Sequence, residues 1–288
     1  MPSEWNVLSL VKAAAEVIAK SGSPSARLDA DLLLADILGW DRLKLYTRFD
    51  MPVGDDERGR YRAAVRRRIG GEPLAYILGR KEFLGRTFAV TRDVLVPRPE
   101  TEFVVEAALE AAKARGAPAR VLEIGVGSGC IILSIAAELG SVGHAGTDVS
   151  AAALAIARRN AATLGLAAAV DLLEGDTFAP LEDALVFDVI VSNPPYIRRD
   201  EAASLPKDVR DFEPELALYS PADGLHFHRE ILSKGRSRLA SGGAVVLELP
   251  GYGGAELVAF GERQGFAGES EVVRDLAGAE RVFVQRKK

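Results

Sequence analysis

Residues 121–130 read VLEIGVGSGC, and this stretch decides the fold. An apolar strand runs into Gly125, Gly127 and Gly129, and a segment with helical character follows at once. Glycine allows a tight turn and lets a ligand approach the backbone at the carboxyl edge of an α/β sheet. The spacing is Gly-x-Gly-x-Gly, which differs from the Gly-x-Gly-x-x-Gly of dinucleotide-binding folds. Taken alone, the motif is also compatible with a tight turn that binds nothing.

Strands and helices alternate from about residue 98 to the end of the chain. Strands interleaved with helices are typical of a mostly parallel sheet covered on both faces. Only LAGA separates the last two predicted strands, which is too short for a crossover and predicts an antiparallel pair. The predicted strands are 120–124, 144–148, 169–174, 187–192, 243–249, 270–275 and 281–285.

The N-terminal part of the chain has a different pattern. Three amphipathic helices are predicted, of which the second, 27–39, ends at Gly39 and the third carries acids in its first turn and arginines in its last. Alternating apolar residues around Gly85 and Asp93 then predict a short hairpin. The predicted organisation is a helical domain at 1–80, a β-hairpin connector at 81–97 and an α/β domain at 98–288.

Composition excludes several classes of protein. The 288 residues carry a net charge of -5, which argues against a nucleic-acid-binding surface. A single cysteine, Cys130, excludes an internal disulfide framework and a thiolate zinc cluster. Charged residues interrupt the N-terminal segment, and no apolar run approaches a membrane span. We therefore expect a cytoplasmic protein with no membrane association and no metal, and a monomer.

Two acids follow predicted strands on the same edge of the sheet as the glycine loop. Asp148 lies about 20 residues after that loop, where an acid can accept hydrogen bonds from ribose hydroxyls of a nucleoside cofactor. It could equally help to cap the helix predicted at 150–164, for which Ser150 is a candidate cap. Asp176 could meet an adenine amino group, although a solvated loop acid explains it as well.

The fourth predicted strand ends in Asn193-Pro194-Pro195-Tyr196. Proline has no backbone donor and ends the hydrogen-bonding ladder of a strand. What remains at this point is an amide side chain, a phenol and backbone carbonyls with no competing N–H. In isolation the motif is a rigid turn, but at the ligand-binding edge of the sheet it indicates a site that accepts hydrogen bonds.

Together these motifs resemble the class I S-adenosylmethionine-dependent methyltransferases that modify planar amide or amino nitrogens. More narrowly, the chain resembles the HemK/PrmC family, which methylates a glutamine of peptide chain release factors. The resemblance covers most of the chain and rests on 27–39, GEPLAYILGRKEF (71–83), VPRPETE (96–102), 121–129, SNPPYI (192–197) and DGLHFHREI (223–231).

The resemblance implies a Rossmann-like, seven-stranded, mostly parallel sheet with a small helical N-terminal domain that recognises the substrate. It implies S-adenosyl-L-methionine as cofactor, S-adenosyl-L-homocysteine as product and release factors as protein substrates. The catalytic residues would be Asn193, Pro194, Pro195 and Tyr196. The cofactor would be bound by Glu123, Gly125, Val126, Gly127, Ser128, Gly129, Asp148, Asp176, Thr177 and Asn193, with Glu100 and Thr101 closing the site.

Three positions depart from the family pattern. Glu123 stands where the family usually has Asp, and Thr177 stands where an aromatic residue often follows the acid. The segment LELPGYGGAEL (247–257) replaces a more usual LEIG. A carboxylate is kept at the first position, so we expect cofactor binding to be retained.

These residues suit an amide substrate, whose nitrogen is a poor nucleophile because its lone pair is delocalised into the carbonyl. The Asn193 side-chain oxygen and the Pro194 carbonyl are two fixed acceptors that can hold the two amide hydrogens of a glutamine. Tyr196 can pack against the flat amide. Orientation of this kind supplies ~7–11 kcal/mol in favourable model systems without a strong base.

Other interpretations remain open at this point. The same site could methylate a ribosomal-protein glutamine or an exocyclic amino group of a nucleic-acid base, or the chain could be a non-catalytic binding module. The His226-x-His228 pair lacks further ligands for a metal, and Cys130 lacks an evident histidine partner. The polar segment 198–222 is long for a connection and predicts a substrate-binding surface.

Overall fold

The computed structural model describes residues 5–115, 118–140, 143–221 and 223–288. The predicted segment 198–222 therefore ends on a residue outside the described ranges. The chain forms two compact units. The first is Met1–Gly79 together with Pro206–Phe212, and the second is Arg80–Leu205 together with Glu213–Lys288.

Helices make up the first unit. They are α1 (Val7–Lys20), α2 (Ala26–Leu38), α3 (Arg42–Thr47), α4 (Asp55–Ile69) and α5 (Leu74–Leu78). One face of α1 is buried at Val7, Val11, Ala14 and Ile18, the spacing expected of an amphipathic helix. The short helices α3 and α5 were not predicted, because five or six residues are too few to show a helical period.

Buried charges also tie this unit together. Asp29 accepts a hydrogen bond from Arg68 at 2.7 Å and others from two serine hydroxyls before α2. Asp31 is paired with Arg27 at 3.0 Å and Arg42 at 3.1 Å. Both carboxylates are almost fully buried, so these partners replace the water that each would otherwise lose. α2 ends at Gly39 in the left-handed conformation, φ 63°, as its sequence predicts.

The second unit begins with the predicted hairpin. Strands β1 (Arg80–Phe83) and β2 (Arg86–Ala89) are antiparallel and are joined by Leu84 and Gly85. Both turn residues have positive φ, 46° and 69°, which is the requirement of a two-residue turn that matches the twist of the strands.

A seven-stranded sheet forms the centre of the second unit, as predicted. Its strand order is β10-β11-β9-β6-β3-β4-β5. The pairs among β9, β6, β3, β4 and β5 are parallel, and β11 is antiparallel to both β9 and β10. The strands of this sheet are β3 (Val121–Ile124), β4 (His144–Asp148), β5 (Val170–Glu174), β6 (Phe187–Ser192), β9 (Leu239–Gly251), β10 (Ser270–Arg274) and β11 (Glu280–Arg286). Strands β7 (Ile197–Arg198) and β8 (Tyr219–Ser220) form a separate two-stranded sheet.

Helices cover both faces of the sheet. The helices after β2 are α6 (Glu102–Ala114), α7 (Cys130–Leu139), α8 (Ala151–Thr163), α9 (Lys207–Phe212), α10 (Glu215–Leu218), α11 (His226–Arg238) and α12 (Gly254–Arg263), of which α9 belongs to the first unit. Along β9, Ala244 and Val246 pack with the core that contains α6 and α7, whereas Val245 and Leu247 pack with the core that contains α11. Burial on both faces explains why the central strands are continuously apolar.

Segment 198–222 contains more structure than its polar sequence predicts. A 3-10 helix at Arg199–Ser204 follows β7, α9 and α10 come next, and β7 pairs in parallel with β8. Within the described ranges, no helix is long and apolar enough to span a bilayer.

Candidate active site

A cavity of about 280 Å³ lies in the second unit, where β3, β4, β5 and β6 end. The register aligns these strand ends, because Ile124 is level with Thr147 on one side and with Ser192 on the other. Residues that follow four different strands therefore meet in one cavity. Those that the sequence singled out are Thr101, Glu123, Gly125, Val126, Gly127, Ser128, Asp148, Asp176, Thr177, Asn193, Pro194 and Pro195.

The glycine loop forms one wall of the cavity. Gly125, Gly127 and Gly129 have positive φ values of 76°, 54° and 81°. Residues other than glycine rarely adopt such a backbone conformation. A Cβ at Gly125 or Gly127 would meet no atom within 4 Å. Both glycines line the cavity, so the backbone there leaves open space for a ligand.

Asp148 links this loop to the end of β4. Its Oδ2 atom accepts from the amide of Gly127 at 2.8 Å, and its Oδ1 atom accepts from the amide of Ser150 at 2.8 Å. Ser150 in turn caps α8 by accepting from the amide of Ala153. The sequence offered a ligand acid or a helix-terminal acid as alternatives. The carboxylate serves the helix terminus and the glycine loop while it also lines the cavity.

Glu123 lies at the base of the cavity and is 1% exposed. Its Oε2 atom accepts from the amide of Ile132 at 3.0 Å. Burial is the main reason that the pKa of this carboxyl lies well above its usual value, and the nearby charge of Asp148 raises the pKa further. A cation bound in the cavity would favour the ionised carboxylate and would be attracted by it.

The wall after β5 contains Asp176 and Thr177. Thr177 has a positive φ of 46°, and its carbonyl accepts from the Thr147 hydroxyl at 2.8 Å. That hydrogen bond holds a strained residue in place beside the cavity. Asp176 is exposed and reaches the rim of the same cavity.

The segment after β6 supplies Asn193, Pro194 and Pro195. Ser192 fixes the strand end, since its hydroxyl donates to the carbonyl of Ile124 at 2.7 Å. The Nδ2 atom of Asn193 donates to the hydroxyl oxygen of Thr101 at 3.3 Å. This bond leaves the Oδ1 atom of Asn193 as the acceptor that is available to a substrate.

Three predicted site residues, all within the described part of the chain, do not line the cavity: Glu100, Gly129 and Tyr196. Gly129 is instead the N-cap residue before α7, where a Cβ would lie 3.0 Å from Leu133. Tyr196 lies beyond the two prolines, and burial raises the pKa of its hydroxyl. Glu100 lies in the 3-10 helix Pro99–Thr101.

Several cavity residues were not predicted. Arg98 donates to Glu213 at 2.6 Å, and the amide of Val96 donates to the same carboxylate at 3.3 Å. Pro214, Leu216 and Ala217 follow Glu213 and line the cavity. The contact between Arg98 and Glu213 joins residues more than 100 positions apart, so local sequence patterns do not indicate it. The VPRPETE motif, which contains Arg98, was the one signal in the sequence that could have indicated this residue.

Asn160 on α8 was also missed. It donates through Nδ2 to the carbonyls of Ser128 and Ala89, at 2.8 and 3.0 Å, and accepts from the amide of Ala89 at 2.7 Å. One buried side chain therefore fastens the glycine loop to the hairpin strand β2. Nothing in the helical pattern of α8 marks this asparagine as different from a solvated one.

The structure supports the non-catalytic interpretations of the remaining candidates. His228 is fully buried and its Nε2 atom bonds the carbonyl of Glu248 at 2.8 Å, whereas His226 is half-exposed. Burial raises the pKa of the Cys130 thiol to about 12, which disfavours a nucleophilic thiolate. Among the residues that the structure describes, no cluster of three potential ligands could hold a metal ion.

The parallel sheet, the glycine loop, the acid at the end of β4 and the Asn-Pro-Pro segment define a class I S-adenosylmethionine-dependent methyltransferase. Two solved structures share the fold. A methyltransferase from Pyrococcus furiosus aligns with a TM-score of 0.51 and 20% identity, over 72% of this chain and 91% of its own. A 16S rRNA methyltransferase of T. Thermophilus, in complex with AdoMet and guanosine, aligns with a TM-score of 0.51 and 18% identity, over 73% of this chain and 50% of its own.

The chain belongs to the release factor glutamine methyltransferase family. It is 40% identical to a protein of that name from Rhodopirellula baltica, over 98% of this chain and 97% of the relative. It is 42% identical to a protein of the same name from Geobacter sulfurreducens, over 98% of this chain and 96% of the relative. Residues 9–79 match the PrmC N-terminal domain and residues 101–206 match the methyltransferase small domain. The predicted fold class, family, enzyme class and cofactor are thereby confirmed.

Proposed function

We propose that this chain transfers a methyl group from S-adenosyl-L-methionine to the side-chain amide nitrogen of the glutamine in the Gly-Gly-Gln motif of peptide chain release factors. Relatives named release factor glutamine methyltransferase cover nearly its full length. The observation that carries the proposal is that Asn193 and Pro194 line the same cavity as the glycine loop and Asp148. A hydrogen-bond acceptor for an amide and a binding site for a nucleoside cofactor are therefore adjacent.

The cofactor would be held by the second unit alone. The glycine loop offers a close backbone approach, Asp148 offers carboxylate oxygens for ribose hydroxyls, and Glu123 offers a buried carboxyl for the cationic end of the ligand. When bound, S-adenosylmethionine supplies an electrophilic methyl group on its sulfonium sulfur. The open space beside Gly125 and Gly127 fits such a ligand, since neither position carries a Cβ.

Asn193 and Pro194 would orient the substrate. The Oδ1 atom of Asn193 and the carbonyl of Pro194 accept the two hydrogens of the glutamine amide. Two acceptors at one fixed point define the plane of the amide and direct its nitrogen. The consecutive prolines hold this backbone rigid and add no competing donor. We assign the rate enhancement mainly to this orientation, which suits a weak nucleophile.

Tyr196 would act by packing rather than by accepting a proton. Burial raises the pKa of its hydroxyl, so the phenol stays neutral at physiological pH. A neutral ring beside the prolines can cover the flat face of the amide and exclude water. The amide proton leaves after transfer, when the methylated nitrogen has become acidic, and this requires no strong base.

The protein substrate needs a surface larger than the cavity. We propose that the helical unit, with the match to the PrmC N-terminal domain at residues 9–79, recognises the release factor. The segment after Tyr196, with its 3-10 helix and the paired strands β7 and β8, would contact the substrate loop. No nucleic acid is required by this proposal, and the net charge of -5 is consistent with a protein substrate.

The test is methyl transfer from labelled S-adenosylmethionine to a purified release factor. The same factor with the Gly-Gly-Gln glutamine changed to alanine is the substrate control, and Asn193→Ala is the enzyme control. Label on the wild-type factor alone, lost with Asn193→Ala while S-adenosylhomocysteine still binds, supports the proposal. Label on a ribosomal protein or on nucleic acid instead, with none on the factor, would keep the class of enzyme and overturn this substrate.

A further inference from the structure

Two segments outside the main sheet complete the wall of the cavity. Residues of the stretch 93–98, before the 3-10 helix, line one part of it, and residues of the stretch 214–217, where α10 begins, line another. Neither stretch belongs to a strand of the main sheet, so the hydrogen bonds of that sheet do not fix the distance between them. This part of the wall therefore depends on contacts of its own.

An ion pair joins the two segments. The Nη2 atom of Arg98 donates to Oε1 of Glu213 at 2.6 Å, and the backbone N–H of Val96 donates to Oε2 of the same carboxylate at 3.3 Å. The side chain of Glu213 is 2% exposed, whereas that of Arg98 is 31% exposed. A carboxylate that has lost its water is stable only beside partners that replace it, so these bonds hold Glu213 against the first segment.

The residues after Glu213 carry this anchor to the cavity. The amide of Ala217 donates to the carbonyl of Pro214 at 2.9 Å, and Leu218 is buried. Leu216 lies between these fixed points and lines the cavity, yet it is 61% exposed. The segment is thus fastened at both ends and presents an apolar side chain whose surface a ligand can cover.

We propose that Arg98 and Glu213 are positioning residues that hold Leu216 against the cofactor bound in the cavity. Covering the leucine side chain removes apolar surface from water and so adds to the affinity for the ligand. Without the ion pair the segment is free to move away, and only a fraction of the molecules then presents the complete wall. The inference rests on the cofactor of this class of enzyme and not on the release factor, so it goes beyond the proposed function.

A direct bond to the ligand is the competing explanation for any effect of Arg98. Among the described residues that line the cavity, Arg98 alone is a cation, and the cofactor carries a carboxylate. The two explanations differ in their dependence on Glu213. A positioning role is lost when either partner is removed, whereas a direct bond from Arg98 does not require the charge of Glu213.

The first experiment is a double-mutant cycle on the affinity for S-adenosylhomocysteine, measured by calorimetry for Glu213→Gln, Arg98→Gln and the double variant. We expect each single variant to raise the dissociation constant about tenfold and the double variant to stay within about twofold of either. Asp188→Asn is the matched control, because it breaks a pair with Arg115 at 3.1 Å that joins distant parts of the second unit away from the cavity. It should bind within about twofold of the wild type.

The second experiment tests the contact itself and does not depend on a variant that loses a buried ion pair. Leu216→Ala changes an exposed side chain, so its midpoint of unfolding in urea should match that of the wild type. Its dissociation constant for S-adenosylhomocysteine should rise about three- to tenfold, because less apolar surface is covered. Leu276→Ala, at a fully exposed position between β10 and β11, is the control and should bind like the wild type.

The third measurement follows the segment in the absence of ligand. Hydrogen exchange of the Ala217 amide reports how often its bond to the carbonyl of Pro214 opens. We expect faster exchange in Glu213→Gln than in the wild type, and an unchanged rate in Leu216→Ala. Unchanged exchange in Glu213→Gln would contradict a role of the ion pair in holding the segment.

The remaining outcomes also decide the inference. Effects of Arg98→Gln and Glu213→Gln that multiply in the double variant indicate a direct bond to the ligand and overturn it. Equal affinity in Leu216→Ala and Leu276→Ala overturns it as well, and an equal loss in Asp188→Asn assigns the effect to general destabilisation. The ligand in each case is S-adenosylhomocysteine alone. If the wild type transfers no label to a release factor, the proposed function fails and these results still stand.

Discussion

The backbone amide of Gly127 donates a 2.8 Å hydrogen bond to the Oδ2 atom of Asp148. This bond joins the glycine loop after β3 to the acid after β4, across 21 residues of chain. The second oxygen of the same carboxylate bonds the amide of Ser150 at the start of α8. A residue that would bind the cofactor thus also shapes the loop beside it.

Asp148→Asn should weaken the binding of S-adenosylhomocysteine. The asparagine side chain has nearly the same volume as that of aspartate, but its NH₂ group would face the backbone N–H of either Gly127 or Ser150. The substitution also removes the negative charge that these two N–H groups stabilise. We expect the dissociation constant to rise about 10- to 100-fold, which corresponds to about 1.4–2.8 kcal/mol. Isothermal titration calorimetry measures it. Asp171→Asn, an exposed acid on the neighbouring β5, is the matched control and should change binding less than twofold.

Gly125→Ala should separate backbone strain from obstruction of the cavity. Gly125 and Gly165 have φ values of 76° and 71°, and a Cβ at either would meet no atom within 4 Å. Each alanine variant should therefore lose about 1–2 kcal/mol of unfolding free energy, as measured in urea. Only Gly125→Ala places its methyl group in the cavity and should abolish detectable binding of S-adenosylhomocysteine. Equal binding by the two variants would mean that the loop does not hold the ligand.

Asn160→Ala should destabilise the second unit. The substitution removes the partner of the buried carbonyl of Ser128 and of the partly buried N–H and C=O groups of Ala89. We expect a loss of about 2–4 kcal/mol in unfolding free energy, because each abandoned buried group costs about 1–3 kcal/mol and part of this is regained by relaxation. Thr163→Ala on the same helix removes an exposed hydroxyl and should change stability by no more than about 0.5 kcal/mol. A similar loss in both variants would contradict a specific role for Asn160.

The burial of His228 should contribute a loss of stability in mild acid. Burial lowers the pKa of this imidazole from 6.5 to about 4. Below pH 6.5 the unfolded chain binds a proton that the folded protein excludes, so stability is present above pH 6.5 and is lost as pH falls toward 4. The maximum loss is about 3 kcal/mol. Burial also lowers the pKa of His144, so this histidine affects stability in the same direction as His228.

The comparison of variants isolates this effect. Glu248 acts with the opposite sign, because its pKa is raised from 4.5 to about 7 and its protonation stabilises the fold between those values. The useful quantity is therefore the difference between the wild type and His228→Gln in urea unfolding at pH 7 and pH 4.5. We expect the variant to lose less stability on acidification. His226→Gln, two residues away and half-exposed, is the matched control and should show the same change in stability as the wild type.

Much of the site could be predicted from local sequence, for identifiable reasons. Gly125 and Gly127 are required by backbone conformations that few other residues adopt, and Pro194 and Pro195 end the ladder of β6. Asp148 and Asn193 follow strands, and parallel strands bring their carboxyl ends to one edge. These constraints act within a few residues, so a single sequence displays them.

Other contributions depended on distant contacts. Arg98 meets Glu213 and Asn160 meets both Ser128 and Ala89, across 32 to 115 residues. Helices α3 and α5 are too short to show a period, and α9 groups with the first unit although the chain on both sides of it belongs to the second. Sequence patterning shows which face of an element is buried but not which polar group lies opposite it.

The sequence by itself determined the seven strands of the main sheet, the glycine loop, the acid after β4 and the Asn-Pro-Pro-Tyr segment. It did so because backbone sterics and hydrophobic periodicity are local properties of the chain. Only the tertiary structure decided that Thr101 accepts a hydrogen bond from Asn193 and that Tyr196 and Glu100 lie outside the cavity wall. Those relationships arise when β6, β9 and the start of α6 pack together, and the direction of a buried hydrogen bond depends on every group in that packing.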